Sequence, residues 1–329
     1  VSTGGTGGVS TGGAGGVSTG GTGGVSTGGT GGVSTGGTGG VSTGGTGGVS
    51  TGGTGGGSAP IPSKGCGKTP TLQSKSTINI KSAGLDRKYI LWLPDNYDNK
   101  HPYRLILAYH WNTGSAQQVV DCHSETIDCA TTKSPFFGLW DLANNSTIFV
   151  APDGIDGGWA NTNDRDLTLT DDILKQVEDD LCIDTSHVFA NGFSYGGLMT
   201  AVLACARSEV FRAVAVYAAG LGLGIDQRSP ACDGKGLPMP YYASHGTGDW
   251  GFDTGQVARD YFAKLNGCTA QTPPRPPSGG HVCTSFEGCS AGHPVRWCGF
   301  DGPHTPTPVD RGQTESWNPK EAWTFFSQF

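Results

Sequence analysis

The residues best able to do chemistry are the five of Gly192-Phe193-Ser194-Tyr195-Gly196, the G-x-S-x-G arrangement in which a serine becomes a nucleophile at a tight turn. The pattern alone is not selective in this chain. It occurs six more times as Gly-Val-Ser-Thr-Gly near the N-terminus, and again at Gly288-Cys289-Ser290-Ala291-Gly292. The chemistry needs a strand, a sharp turn and a helix in succession, so that the serine is presented at the sheet's mouth and the helix N-terminus faces a developing negative charge. Only Ser194 has these flanks: His187-Val188-Phe189-Ala190 reads as a strand and Leu198 to Ala206 as a helix. Ser290 follows a cysteine and precedes Pro294, which suits a turn stapled by a disulfide.

A serine hydroxyl with an ordinary pKa is a poor nucleophile, so it requires a histidine base and a carboxylate that fixes that base's tautomer. On a sheet of this kind the acid and then the histidine follow the serine in the chain. Asp249, in Ser244-His245-Gly246-Thr247-Gly248-Asp249, lies directly after an expected strand and is the leading acid, with Asp253 and Asp226 weaker. His304, in Asp301-Gly302-Pro303-His304-Thr305-Pro306, is the leading base. His110 and His187 come before the serine, His245 precedes the acid, and His281 and His293 lie in Gly- and Cys-rich loops. The oxyanion needs two N–H donors: Tyr195, next to the nucleophile, and a residue of the loop after an early strand, where Trp111 and Asn112 are equal choices. The chemistry these groups describe is acyl transfer, and it requires neither metal nor organic cofactor.

The elements that must position them are legible as alternation. Short runs suited to buried strands occur at 89–93, 105–109, 148–151, 187–190, 211–217, 241–244 and 295–300. Between several of them lie helical patterns, clearest over 171–181, where Ile173, Leu174, Val177 and Leu181 share one face, and again at 198–206 and 257–265. This order predicts a mainly parallel, doubly wound α/β sheet with helices on both faces and its site beyond the strands' carboxyl ends.

That fold has to lie in residues 64–329, because residues 1–63 carry no charged side chain. Residues 1–56 are seven copies of Val-Ser-Thr-Gly-Gly-Thr-Gly-Gly, with Ala14 in place of one threonine. A short polar repeat has no apolar face to bury and is expected to be a disordered linker spanning roughly 40 Å, with an O-glycosylated stalk as the alternative. An upstream binding module would fit at its far end. The net charge of −7 falls wholly within the domain and argues against a nucleic-acid partner. No apolar run of about 18 residues occurs, so no membrane-spanning helix is expected. All ten cysteines lie after residue 63 without a zinc-type pair, which points to disulfides and secretion, Cys122 with Cys129 being the preferred local pair. Asn144-Asn145-Ser146-Thr147 holds two overlapping glycosylation acceptors, in keeping with an extracellular protein.

Several motifs, in this order, carry a family resemblance: Lys64-Gly65-Cys66-Gly67-Lys68, Leu93-Pro94-Asp95-Asn96-Tyr97, Trp159-Ala160-Asn161, Asp180-Leu181-Cys182-Ile183-Asp184, Gly192 to Gly197, Ala204-Cys205-Ala206-Arg207 and His304-Thr305-Pro306. The stretch from 64 to 329 resembles the fungal feruloyl esterases and their polyhydroxybutyrate-depolymerase-like relatives among carbohydrate esterases. The resemblance implies an α/β-hydrolase fold, a triad on Ser194, Asp249 and His304, and release of ferulate or related hydroxycinnamates from feruloylated xylan or pectin. Acetyl xylan esterase or polyester depolymerase activity is the alternative on the same fold. Trp159 and Trp250 are expected to contact substrate, since an aromatic acyl group suits aromatic walls. The Cys122–Cys129 loop and Asp301-Gly302-Pro303 depart from the family pattern.

Overall fold

The computed structural model describes residues 59–121, 131, 134–221, 232 and 236–329, together with Val-Ser-Thr segments of the repeat. The chain divides into two units, Val1–Ala59 and Pro60–Phe329. Within the first, the segments are strands of two or three residues that pair in parallel with the segment two repeats on. The second unit starts slightly before the composition boundary at residue 63. Ser63 donates from its backbone to Ile183 O (2.8 Å), and Ile61 N–H donates to Asp184 (2.9 Å), so these uncharged residues belong to the folded domain. Cys122–Cys129 and Asp226 lie outside the described residues.

The domain is built on one nine-stranded sheet. In chain order its strands are β1 (Ser76–Ser82), β2 (Leu85–Trp92), β3 (Tyr103–Tyr109), β4 (Thr147–Pro152), β5 (Ile183–Phe193), β6 (Ala213–Tyr217), β7 (Tyr241–Gly246), β8 (His281–Ser285) and β9 (Val295–Phe300). Their spatial order is β8-β9-β7-β6-β5-β3-β4-β2-β1, parallel from β9 through β4 and antiparallel at both edges. Both faces are covered. Leu105, Leu107 and Tyr109 of β3 join one core with α3 (Arg165–Asp180), α4 (Tyr195–Ala206) and α5 (Phe252–Leu265). Ile106 and Ala108 join the other, with α1 (Ala116–Asp121), α2 (Leu139–Ala143) and α6 (Asn318–Phe326). The strands are apolar on both sides because each side faces a helix layer, which is why their sequences read as continuous runs.

Two edge strands escape the sequence reading. Strand β1, Ser-Thr-Ile-Asn-Ile-Lys-Ser, half-buries Ser76, Ile78 and Ile80 and exposes the residues between them, as an edge strand with one covered face does. Strand β8 is short and polar and is held to β9 by the Cys283–Cys298 bridge, whose two residues are cross-strand partners. Helix α3 begins six residues before the helical pattern read from 171, its first turn held where Asn161 Oδ1 accepts the N–H groups of Asp166 and Leu167 (both 3.1 Å). Asp166 is in turn paired at 2.8 Å with Arg87 of β2, both side chains being fully buried. Three further disulfides join Cys66–Cys182, Cys205–Cys232 and Cys268–Cys289.

Candidate active site

Strand β5 ends at Phe193, and Ser194 occupies the turn into α4 with φ 55° and ψ −117°. That backbone is strained for any side chain other than glycine and persists only where the surroundings hold it. Here they do: Ser194 N–H donates to Tyr217 O (3.0 Å) and its carbonyl accepts Leu198 N–H (2.9 Å). The pattern's two glycines are required by close approach. A Cβ on Gly192 would lie 2.3 Å from Gly196 O, and one on Gly196 would lie 2.1 Å from Tyr109 O and 2.5 Å from His110 O. The start of α4 thus packs directly on the backbone that leads out of β3.

Three loops converge on the serine hydroxyl. His304 Nε2 lies 2.8 Å from Ser194 Oγ, and His304 Nδ1 lies 2.7 Å from Asp249 Oδ2. Asp249 is 6 % exposed, and its other oxygen accepts Gly251 N–H at 2.9 Å. Burial alone would raise this carboxyl, but donors on His245, His304 and Gly251 outweigh it and hold it well below the usual carboxylate range. An ionised Asp249 places the His304 proton on Nδ1, which leaves Nε2 to accept from Ser194 Oγ–H. The histidine and acid loops are tied together by Thr247 N–H to Phe300 O (2.8 Å) and Gly248 N–H to Gly302 O (3.0 Å). The departure at Asp301-Gly302-Pro303 therefore serves the site: Gly302 holds the acid loop and the Asp301 carboxylate accepts Gly279 N–H (2.7 Å).

Trp111 and Asn112 follow β3 and lie beside Tyr195. The Asn112 amide and the Tyr195 ring both border Gly158, where a Cβ would come within 2.7 Å of the ring. Trp111 is 5 % exposed and packs between Phe137 and Phe193, a wall rather than an open surface. Its carbonyl is pinned by Gly114 N–H and by His110 Nδ1. His110 precedes the serine in the chain and holds this loop through both ring nitrogens. Gly154 N–H donates to its Nε2 (2.9 Å), so Nδ1 carries the proton and donates to Trp111 O (2.8 Å). Burial lowers its pKa, in keeping with a neutral ring that braces this loop.

Of the two tryptophans expected to touch substrate, one does not qualify. Trp159 is completely buried, its ring packed on Tyr109 and His110 and its Nε1–H donated to His110 O at 2.8 Å. It supports the loop from beneath and has no surface to offer a ligand. Trp250 is the opposite case, 75 % exposed with its ring centroid 6.0 Å from that of His304. Asp253 lies in the first turn of α5 and takes no part in the Ser194–His304–Asp249 chain. Ser290 follows the Cys268–Cys289 bridge in an exposed turn, as its sequence suggests. Two surface clefts, of about 200 Å³ beside Arg212 and His293 and about 440 Å³ beside Asp172 and Asp180, contain none of the converging residues.

Comparison with known proteins agrees with this geometry. The model of the prolyl oligopeptidase family matches residues 157–221, the stretch that holds α3, β5, the Ser194 turn and β6. Feruloyl esterase D of Neurospora crassa is 40 % identical over 276 residues, covering 82 % of this chain and 92 % of its own. Feruloyl esterase C of Emericella nidulans is 42 % identical over 269 residues, covering 80 % and 90 %. Among solved structures, an acetyl xylan esterase from Aspergillus awamori superposes with a TM-score of 0.54 at 14 % identity, over 77 % of this chain and 100 % of that one, a likeness of fold. The sheet order, the strained serine turn and two relatives at this identity over nine-tenths of their own length agree, and the chain belongs to the fungal feruloyl esterases.

Proposed function

We propose that the protein hydrolyses the ester joining ferulate or a related hydroxycinnamate to the sugars of plant cell-wall xylan or pectin, with Ser194 as nucleophile. The observation that carries this reading is the unbroken chain Ser194 Oγ, His304 Nε2, His304 Nδ1, Asp249 Oδ2, with links of 2.8 and 2.7 Å. Ser194 Oγ attacks the ester carbonyl carbon while His304 Nε2 takes its proton. The tetrahedral oxyanion rests on the Tyr195 N–H and one N–H of Trp111 or Asn112. His304 Nε2–H then protonates the sugar oxygen as the ester C–O bond breaks. Water attacks the acyl-enzyme, giving its proton to His304, and the free acid leaves as Ser194 recovers its hydrogen. Asp249 keeps its charge throughout and stabilises the imidazolium.

Trp250, exposed beside His304, suits the face of a sugar on the leaving-group side. No helix among the described residues is long and apolar enough to cross a membrane. Four disulfides among the described residues and two exposed asparagines in the Asn144-Asn145-Ser146-Thr147 segment favour a secreted enzyme. Residues 1–58 act as a tether, with room for a polysaccharide-binding module at its far end.

Side-by-side rates on methyl ferulate, methyl caffeate, methyl sinapate and p-nitrophenyl acetate test the substrate class. At least one hydroxycinnamate should exceed the acetyl ester in kcat/KM by about tenfold or more, the discrimination that one well-filled pocket supplies. A preference for the acetyl ester would replace this reading with that of an acetyl esterase.

A further inference from the structure

A second imidazole stands on the same carboxylate. His245, at the end of β7 and four residues before Asp249, has its Nε2 2.9 Å from Asp249 Oδ2, with the two side chains 1 % and 0 % exposed. This is the oxygen that also meets His304 Nδ1 at 2.7 Å. The approach lies too far off the straight N–H···O line for hydrogen-bond geometry, so neither ring nitrogen of His245 has a hydrogen-bond partner among the described residues. The ring is held from several sides. Phe252 of α5 meets it edge-on with centroids 5.8 Å apart, and Trp297 of β9 lies 6.0 Å away. Arg259 covers Trp297 and pairs with Asp260, so that charge is engaged elsewhere. At Gly255 the helix backbone comes so close that a Cβ would lie 2.1 Å from His245 Nδ1.

A buried imidazole with an unpartnered nitrogen costs free energy that a phenylalanine in the same cage would not. What the imidazole alone provides is a polar Nε2 edge 2.9 Å from the Asp249 carboxylate. A proton on Nδ1 would have no acceptor and would turn the Nε2 lone pair toward a carboxylate, so the proton sits on Nε2. With Gly251 N–H on Oδ1, His304 on Oδ2 and the His245 ring packed against Oδ2, the carboxylate cannot rotate about its own bond without losing a donor or meeting that ring. The same donors keep it ionised.

We propose that His245 is a positioning residue for the reaction, its Nε2 edge, 2.9 Å from Oδ2, holding the Asp249 carboxylate in the orientation that aligns His304. The inference rests on Ser194, His304 and Asp249 being the reacting groups. Its effect should therefore appear in the rate of the chemical step and leave substrate binding unchanged.

The test compares His245→Leu, which keeps bulk and removes the donor, with His245→Gln, whose amide nitrogen reaches about where Nε2 stood. Full-length chains are assayed on a soluble hydroxycinnamate methyl ester, with Ser194→Ala alongside and thermal melting of each. The leucine variant should lose about 10- to 100-fold in kcat with KM within about twofold, short of the roughly 10⁴-fold seen when a triad acid loses its charge. The glutamine variant should recover most of that loss. Should the leucine variant fail to fold, His245→Asn, whose amide stops short of Asp249, takes its place with the same expectation. A donor-free variant within twofold of the parent in kcat, or a glutamine variant as impaired as it, overturns the proposal and leaves His245 a packing residue. An active Ser194→Ala protein would instead overturn the triad reading.

Discussion

Ser194 and Ser290 share a five-residue pattern and sit in opposite surroundings. Ser194 is held at positive φ between β5 and α4, 2.8 Å from an imidazole that is itself bonded to a buried carboxylate. Ser290 faces His293 Nδ1 at 3.4 Å in an exposed turn, and its N–H donates to Asn266 O. Ser194→Ala should therefore lower kcat on the order of 10⁴-fold or more, whereas Ser290→Ala stays within about twofold, as steady-state kinetics on one ester would read. His304→Ala should match the Ser194 variant, and the double variant should be no worse, because the two act as a unit. A serine-directed covalent inhibitor should mark the Ser194 peptide. Asp249 leads to a separate expectation about acid. Its folded carboxyl lies below the unfolded value of about 3.9, so its stabilisation is full above that value and is lost as pH falls through the folded one. The melting-temperature gap between the parent and Asp249→Asn should be constant from about pH 5 to 7 and shrink below about pH 4. A gap that widened on acidification would contradict the sign.

At the scale of elements, the site depends on how closely α4 approaches the end of β3. Gly196 is the contact: a side-chain carbon there would meet two backbone carbonyl oxygens, of Tyr109 and His110, neither of which can swing away as a flexible side chain would. Gly196→Ala should push the helix start off the loop that carries Trp111 and Asn112. The expected loss is on the order of 10²-fold in kcat, the scale of losing one oxyanion donor, with a lower melting temperature. Normal kcat in that variant would mean that the loop takes no part in the oxyanion site. The loop has its own frame in Trp159 and His110, joined to Gly154 and Trp111 by hydrogen bonds of 2.8 to 2.9 Å. Trp159 thus bears on the loop's position.

At the scale of the molecule, the repeat and the catalytic domain are different kinds of sequence. The domain has layered cores and, among the described residues, four bridges, one of which, Cys66–Cys182, ties its first residues to the start of β5 across 116 positions. The repeat has neither charge nor an apolar face. Removal of residues 1–58 should leave kcat/KM on a small soluble ester within about twofold, as expected of a segment without a transition-state contact. Removal through Ser63 is a harsher cut. It strips the hydrogen bonds of Ile61 and Ser63 to Asp184, Leu181 and Ile183, and should lower the melting temperature.

The α/β alternation, the elbow and the order of serine, acid and histidine are local properties. A strand, two glycines and a helix around Ser194 announce themselves within about twenty residues, and Asp249 and His304 each follow a strand of recognisable pattern. The sequence by itself therefore determined the architecture and the three residues of the hydrogen-bonded chain. What depends on distant segments meeting was settled only in three dimensions. Trp159 reads in sequence like any loop aromatic near the site, and only its burial between Tyr109 and His110 removes it from the surface. His245 precedes the acid in chain order and so does not suit the base, yet folding sets it against the same carboxylate oxygen as His304, from a strand 59 positions earlier in the chain. Chain order records which residues can follow one another, whereas burial and shared hydrogen bonds arise when segments far apart in sequence are packed into one interior.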